Sequence, residues 1–131
     1  KLSNIQFIDP VSKKEVFKYI ISSDFGMSVL KRVDTFKTIY SNKTFDYMSC
    51  QKPLFLLIDG VSRDLLEKAN CGVYVEPENV DMFVSKIEEV LMLNKNYIDH
   101  LGMNGYVYAK EHFDRSNLAK KYLKHLAIIK N

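Results

Sequence analysis

Apolar and polar residues follow two patterns along this chain. Short runs that are apolar at every position or every second position are typical of strands, whereas apolar residues that recur three and four positions apart are typical of helices. The first pattern predicts strands at residues 5–8, 24–30, 54–58 and 73–75. Residues 54–58 are apolar throughout, which is typical of a parallel strand that is buried on both faces.

The second pattern predicts a helix after each strand. Ser12 and Glu15 have the spacing of a capping box, and Ser41 or Asn42 can cap the next helix. The order βαβαβαβ followed by helices predicts an α/β fold around a parallel sheet, whose ligands bind at the carboxyl ends of the strands. A site is therefore expected near residues 9–12, 31–43 and 59–63. The helices are expected over about residues 12–23, 41–50, 60–70, 79–91, 97–112 and from 116 onward.

Composition and charge narrow the class of protein. The 131 residues suffice for one domain, and 47% apolar residues supply the material for a core. The charge of +3 comes from 19 basic and 16 acidic residues. A nucleic-acid-binding protein would show a denser basic stripe interleaved with aromatic residues, so no nucleic-acid partner is expected. The basic excess is interpreted as a solvated or membrane-facing surface, formed by Lys120, Lys121, Lys124 and Lys130.

Cysteine and histidine positions give no sign of a metal site. Cys50 and Cys71 each lie in an apolar segment, without a second cysteine or a histidine at metal-ligand spacing, and both are predicted to be buried thiols. His100, His112 and His125 are interpreted as surface or satisfied core residues. Because the chain shows neither a signal-peptide pattern nor an apolar run of about 18 residues, we expect a cytoplasmic protein.

A longer motif spans the second predicted helix. Residues 41–53, SNKTFDYMSCQKP, resemble the pattern P-x-K-x-F-E-Y-M-A-x-G-K-P of glycosyltransferase family 4. Other parts of that family are similar to residues 4–8, 19–30, 70–77 and 104–113, so the resemblance covers nearly the whole chain. It implies a Rossmann-like three-layer αβα domain with a short parallel sheet, the C-terminal half of a retaining glycosyltransferase built from two facing domains (the GT-B fold).

The resemblance also implies a function. Residues 1–131 would be a single, partial donor-nucleotide-binding domain of a hexosyl-type glycosyltransferase, which transfers a sugar from a UDP- or GDP-sugar to an acceptor in polysaccharide or glycoconjugate synthesis. The nucleotide-sugar is a substrate, and no cofactor or metal is expected. In the family a glycine-rich turn, a diphosphate-neutralising Arg/Lys pair and an acceptor domain precede the matched region, and this chain contains none of them. Since stabilisation of the leaving diphosphate is a large share of such catalysis, the chain alone is expected to be inactive.

The expected partners follow from the same resemblance. They are the nucleotide-sugar donor and the missing N-terminal acceptor domain. The complete enzyme is expected to associate peripherally with the inner face of a membrane. The isolated chain is expected to self-associate.

The motif also supplies the candidate site residues. In the family the matching acidic residue grips the nucleotide ribose, which makes Asp46 the first candidate. A carboxylate in the first turn of a helix can accept hydrogen bonds from both ribose hydroxyls, while free amides at the helix start favour a diphosphate. The same Asp is favourable there without any ligand.

The loop after Ile8 is placed to contact a base. The donor-nucleotide-binding candidates are Asp46, Asn42, Lys43, Ser41, Thr38, Asp9 and Val11. Catalytic residues are not assigned, and Arg32 and Lys37 are either donor contacts or exposed charges.

The chain departs from the family pattern at four positions of this region. Thr38 stands where the family has a second carboxylate near the donor sugar, and Asp46 replaces a longer Glu. Ser41 replaces Pro. Gln51 replaces the Gly that follows the helix, which is expected to cost some conformational strain.

Two alternative functions come from other classes. Residues 54–60 form an apolar strand that ends in Asp59-Gly60, as in phosphoacceptor signalling domains, but the acidic pair that such a domain needs at its first strand is reduced to Asp9. The other alternative is a non-catalytic binding or assembly module. Its partner surface would be the stripe along the last helix, formed by Leu118, Tyr122, Leu126 and Ile129.

Overall fold

The computed structural model of this protein describes residues 2–129, and it is an α/β fold with helices on both faces of a short parallel sheet. Its three strands are hydrogen-bonded in the order β1-β2-β3. A 3-10 helix, Asp34–Thr38, lies between the second predicted strand and the second predicted helix. In chain order the helices and strands are α1 (Lys13–Ser22), β1 (Gly26–Val29), α2 (Asn42–Ser49), β2 (Leu54–Leu57), α3 (Val61–Ala69), β3 (Gly72–Tyr74), α4 (Val80–Leu91), α5 (Lys95–Phe113) and α6 (Arg115–Ile129).

The prediction of a strand at residues 5–8 is wrong. This segment has no regular structure, and Phe7 is 94% exposed. A strand exists only where a neighbouring strand completes its hydrogen bonds. Among the described residues β1 pairs with β2 alone and lies at an edge of the sheet. An apolar run therefore remains without a strand structure when no neighbour is in reach.

The central strand β2 is buried on both faces, as its apolar run predicts. Leu54 and Leu56 are 0% exposed and pack beneath α2, α3 and α5. Phe55 and Leu57 point to the opposite face, where α4 covers them. Because successive side chains of a strand point to opposite faces, β2 anchors both apolar clusters of the fold.

Helix boundaries largely follow the local signals. The Ser12 and Glu15 capping box is present, with both of its side-chain to backbone hydrogen bonds, and the side chain of Asn79 accepts a hydrogen bond from the Met82 amide at 2.9 Å. Asn70 ends α3 in the left-handed conformation. These local interactions require no distant part of the chain, which is why the sequence pattern predicts them.

Two glycines in α5 set its distance from α2. A Cβ at Gly102 would overlap the backbone carbonyl oxygen of Gln51, and one at Gly105 would lie 3.0 Å from the Cβ of Cys71. The absence of side chains at these positions lets α5 approach the end of α2 closely. The following turns of α5, which carry Tyr106 and Lys110, are thereby placed beside the exposed face of α2.

The end of α2 has the conformation that a glycine would favour. Gln51 has a φ of 56°, in the left-handed region where a Cβ is sterically unfavourable. The amides of Gln51 and Lys52 donate to the carbonyls of Met48 and Tyr47, both at 3.0 Å. The expected strain at the Gly-to-Gln position thus has a structural basis.

The two cysteines differ in burial. Cys71 is 0% exposed, as predicted, and burial raises the pKa of its thiol to about 12. The prediction of a buried thiol is wrong for Cys50, which is half-buried because it ends α2 and lies at the margin of the core. A thiol that is buried and only weakly acidic is a poor nucleophile, because the thiolate is the reactive form.

Candidate functional site

A groove of about 520 Å³ runs along the exposed face of α2. Its walls come from four helices: the start of α1, the face of α2, the last turns of α5 and the start of α6. The volume lies in the range of small-molecule sites. The lining residues are Lys13; Asn42, Phe45, Asp46 and Ser49; Tyr106, Ala109, Lys110 and Phe113; and Arg115 and Leu118.

Asp46 supplies the carboxylate of this groove. Its Oδ1 lies 3.3 Å from Nζ of Lys13, and its side chain is 29% exposed, against 72% for the lysine. The half-buried carboxylate is therefore oriented by a cation from α1 while it stays open to the groove. Such a carboxylate can accept hydrogen bonds from a ligand that carries two neighbouring hydroxyls.

The prediction that Asp46 lies in the first turn of α2 is wrong. The helix begins at Asn42, with Ser41 as its N-cap residue, so its first turn contains no acidic residue and Asp46 lies one turn further on. Favourable interaction with the helix dipole is largely confined to the first turn. That interaction therefore does not account for an Asp at this position. The spacing of four residues also brings Asn42 and Asp46 onto the same face.

Three cations line the groove together with the carboxylate. Lys13 pairs with it directly, whereas Lys110 and Arg115 form no ion pair with any carboxylate of residues 2–129. Lys110 lies with its Nζ 5.9 Å from the centroid of the Tyr106 ring. The groove consequently has an excess of positive charge, which favours an anionic ligand.

Aromatic rings form the floor of the groove. The ring centroids of Phe45 and Phe113 are 4.9 Å apart, and Tyr40 stands edge-on to both, at 5.9 Å and 5.5 Å. These contacts join α2 to the end of α5 and fix the shape of the floor. An aromatic floor beneath cations suits a ligand with a planar ring and a charged tail.

The structure brings only part of the sequence-predicted site together. Asn42 and Asp46 line the groove, but the other candidates do not. The Ser41 hydroxyl accepts a hydrogen bond from that of the buried Ser28 at 3.0 Å, which ties the start of α2 to β1. The Thr38 hydroxyl donates to the Thr35 carbonyl at 2.9 Å. The remaining candidates are exposed outside the groove: Lys43 on α2, and Asp9 and Val11 in the irregular segment before α1.

Two cations of the segment between β1 and α2 form ion pairs near the carboxyl edge of the sheet. Arg32 forms an ion pair with Glu76 at 2.9 Å, and Lys37 forms one with Asp34 at 2.8 Å. The hydrogen bond and charge of Asp34 raise the pKa of Lys37. Both side chains thus have structural partners within the described part of the chain.

The 3-10 helix lies over the end of β2 and the start of α3, whereas a cavity of about 210 Å³ stays open between the ends of β1 and β2 and the start of α4. A Cβ at Gly60 would overlap backbone atoms of Lys37, and Ser62 donates to the Ile39 carbonyl at 2.9 Å. The cavity that remains beside Asp59 measures about 10 Å³, which holds one water at most. A shallow depression of about 430 Å³ lies further along, over the end of β3, and its walls include Arg32 and Glu76. Of the three predicted site segments, only 31–43 reaches the groove along α2, through Asn42.

Sequence reasoning missed the contributions of α1, α5 and α6 to the groove. Helical spacing places Tyr106, Lys110 and Phe113 on one face of α5. They are far in sequence from Lys13 and Asp46, however, and no spacing rule relates the different helices. Gly102 and Gly105, one helical turn apart, were the available signal for a close helix contact.

Residues 2–129 contain no group of three or more His, Cys, Asp or Glu side chains arranged to hold a metal ion. No helix in this range has the length and apolar content that a membrane crossing requires. No protein-family model matches the chain, and neither the curated proteins nor the solved structures include a match to it.

Proposed function

We propose that this chain is the donor-nucleotide-binding domain of a nucleotide-sugar-dependent glycosyltransferase similar to family 4. The observation that carries the proposal is the arrangement along α2. Asp46, in the segment that resembles the family's donor motif, lies in a groove with three cations and an aromatic floor. This combination suits a nucleoside diphosphate, which presents a planar base, a diol and a charged tail.

The ribose would bind to the exposed face of α2. Its two hydroxyls would donate to the Asp46 carboxylate, while the amide side chain of Asn42, on the same helix face, can pair with one of them. Lys13 holds the carboxylate from the opposite side at 3.3 Å. Hydrogen bonds to a charged group contribute about 1.5–3 kcal/mol each when they are shielded from water, and the partial exposure of Asp46 reduces that contribution.

The diphosphate would bind among the cations. Lys110 and Arg115 reach the groove from the end of α5 and the start of α6. Arginine suits phosphate through its fork of N–H donors, and lysine contributes a mobile point charge. These two charges would hold the diphosphate of the bound donor.

The base would lie against the aromatic floor. Phe45 and Phe113 present ring faces and edges, and every nucleobase has a π-face that can pack on them. Contacts of this kind discriminate weakly between bases. UDP and GDP are therefore both candidates, and titration with each of them distinguishes the two.

Calorimetric titration with UDP, GDP and UMP tests this proposal. We expect binding of at least one diphosphate, weaker binding of the monophosphate because it loses contacts with the cations, and a loss of at least tenfold in affinity in Asp46→Asn. Asp81→Asn, which neutralises an exposed carboxylate on α4 outside the groove, is the matched control and should bind like the unsubstituted chain.

Two results would contradict the proposal. One is the absence of nucleoside diphosphate binding at millimolar concentration in a chain that circular dichroism shows to be folded. The other is binding that Asp46→Asn and Asp81→Asn weaken equally, since such binding would depend on net charge alone. A parallel titration with magnesium and beryllofluoride, followed at Asp59, would detect a phosphoacceptor domain.

A further inference from the structure

Two of the four helices around the groove are the first and the last of the chain, and both are loosely attached to the fold. Of the ten residues of α1 only Ile20, near its end, is buried. In α6 residues 115–128 are all exposed, and the helix has its main contact with α5. The side chain of Ile129 and all of Lys130 lie outside the described residues. Both helices therefore have little of the tertiary packing that ordinarily stabilises a helix.

The start of α1 is held by one ion pair at the groove. The segment before it, residues 2–12, is exposed and has no regular structure. The Nζ of Lys13 lies 3.3 Å from Oδ1 of Asp46, and within the described chain no other side chain of α1 forms an ion pair with a different element. An exposed ion pair contributes little to stability, and a helix shorter than about 12–15 residues is marginal on its own. We therefore expect the start of α1 to open readily.

The first turn of α6 is the part of that helix that reaches the groove. Asp114, between α5 and α6, has extended backbone dihedrals, and its carboxylate accepts a hydrogen bond from the Asn117 amide at 2.9 Å. Arg115 and Leu118 line the groove, whereas the later residues of α6 that the structure describes do not. Because the helix continues rigidly from its first turn, contacts made there set the direction of all of α6.

The charges of the groove oppose the close approach of these helices. Its lining residues include three cations, Lys13, Lys110 and Arg115, and one carboxylate, Asp46, which leaves a net charge of +2. Each cation belongs to a different helix, and like charges repel one another. An anion with several oxygens can contact Lys13 and Arg115 at once, and it would replace this repulsion by charge-assisted hydrogen bonds.

We propose that an anion bound in the groove holds α1 and α6 against the body of the fold, so that binding orders the first and last helices of the chain. This inference rests on the groove that the proposed function assigns to a nucleoside diphosphate, but it requires only the anionic part of that ligand. In the free chain the two helices detach and rejoin, whereas in the complex the diphosphate bridges Lys13 and Arg115. Because binding and ordering are linked, a change that loosens either helix also weakens binding.

Amide hydrogen exchange measures this ordering. In the free chain the amides of α1 and α6 should exchange faster than those of α3, which has four buried residues. UDP and inorganic pyrophosphate are the probes, each at ten times the dissociation constant that calorimetry gives. Exchange in both helices should then slow about tenfold, because the anion binds only the form in which they are attached. The exposed end of α4, on the opposite face of the sheet, should exchange at an unchanged rate.

Two pairs of variants locate the contacts. Lys13→Gln and Lys14→Gln each remove a lysine from the first turn of α1, but only Lys13 lines the groove. In the free chain Lys13→Gln should speed exchange in α1 about two- to fivefold, through loss of the ion pair, whereas Lys14→Gln should not. Arg115→Gln, at ten times its own dissociation constant, should lose the slowing in α6. Lys120→Gln, which removes a charge from α6 outside the groove, should retain it. All four positions are exposed, and circular dichroism checks that the variants fold.

The outcomes separate this inference from the proposed function. Binding of UDP without slower exchange in α1 and α6 would overturn the inference and leave the nucleotide site standing. Slower exchange with pyrophosphate, combined with UDP binding no tighter than pyrophosphate, would support the ordering and contradict a nucleotide site. Absence of binding by both probes would overturn both. Equal exchange in free Lys13→Gln and Lys14→Gln, or equal slowing at the end of α4, would also overturn the inference, and the first of these comparisons requires no ligand.

Discussion

The strand β2 and the helix α6 are both rich in apolar residues, yet one is buried and the other is not. In β2 no residue exceeds 8% exposure, whereas Leu118, Tyr122 and Leu126, which form the described part of the α6 stripe, are 43% or more exposed. The difference lies in the neighbours. Three helices cover one face of β2 and α4 covers the other, while α6 has its main contact with α5. An apolar pattern therefore shows that a helix or strand can be buried. Whether it is buried depends on the elements that pack beside it.

The largest expected effect comes from truncating a leucine in each region. Leu56→Ala, at a position with 0% exposure, should lower the free energy of unfolding by about 3 kcal/mol, because it removes buried contacts and leaves a cavity. Leu126→Ala, at 44% exposure, should change it by less than about 0.5 kcal/mol. Denaturant unfolding followed by circular dichroism measures both. Comparable losses would mean that the α6 stripe is buried in solution.

A second prediction concerns the contact that shapes the groove. Glycine-to-alanine substitution in a helix ordinarily stabilises it by about 1 kcal/mol. Gly102→Ala should instead destabilise the protein by about 2 kcal/mol, because the new Cβ overlaps the Gln51 carbonyl and α5 must move away from α2. Met103→Ala, at a neighbouring position that is 43% exposed, is the control. A stabilised Gly102→Ala would show that α5 is not held this closely.

A smaller effect of the opposite sign is expected at the end of α2. Gln51→Gly should raise the free energy of unfolding by about 0.5–1 kcal/mol, because glycine adopts the observed φ of 56° without steric cost. The same change at Lys52, whose φ is not positive, should be destabilising through the added entropy of the unfolded chain. Thermal unfolding of the two variants under the same conditions measures both changes in stability. Equal shifts in the melting temperature would show that relief of strain at residue 51 is not the cause.

The smallest effect is expected in the exposed helix α1. Hydrogen bonds from the Ser12 hydroxyl and amide lower the pKa of Glu15 below its ordinary value of 4.5. A lowered pKa in the folded state means that this contribution to stability is present above pH 4.5 and is lost as the pH falls through the pKa of the folded state. In Ser12→Ala the pKa of Glu15 should rise toward 4.5, as measured by carboxyl NMR titration. An unchanged pKa would show that the capping box does not form in solution.

Parts of the fold and of the site could be predicted because their causes are local. The capping residues Ser12 and Asn79 and the double burial of β2 follow from short-range patterns. The assignment of a functional role to Asp46 rests on the resemblance of a 13-residue segment, and its role in binding stays a prediction. The start of α2 is as predicted, but with Ser41 as the N-cap residue Asp46 lies just beyond the first turn.

Other parts depend on contacts between distant residues. Residues 5–8 have the composition of a strand, but no strand partner lies beside them. Lys110 and Arg115 join Asp46 in one groove only because α5 packs against α2 through Gly102 and Gly105. No periodicity within a single element carries that information.

The amino-acid sequence by itself determined where most helices begin and end, which strand lies at the centre of the sheet, and that the positive charge is gathered in the last helix. These properties depend on hydrogen bonds within one turn, on the alternation of side chains and on composition. Only the tertiary structure decided that β1 is an edge, that the face of α2 opens into a groove, and that α6 keeps its apolar stripe in solvent. Each of these depends on which elements come within a few ångströms of one another, and that is settled by packing across the whole chain.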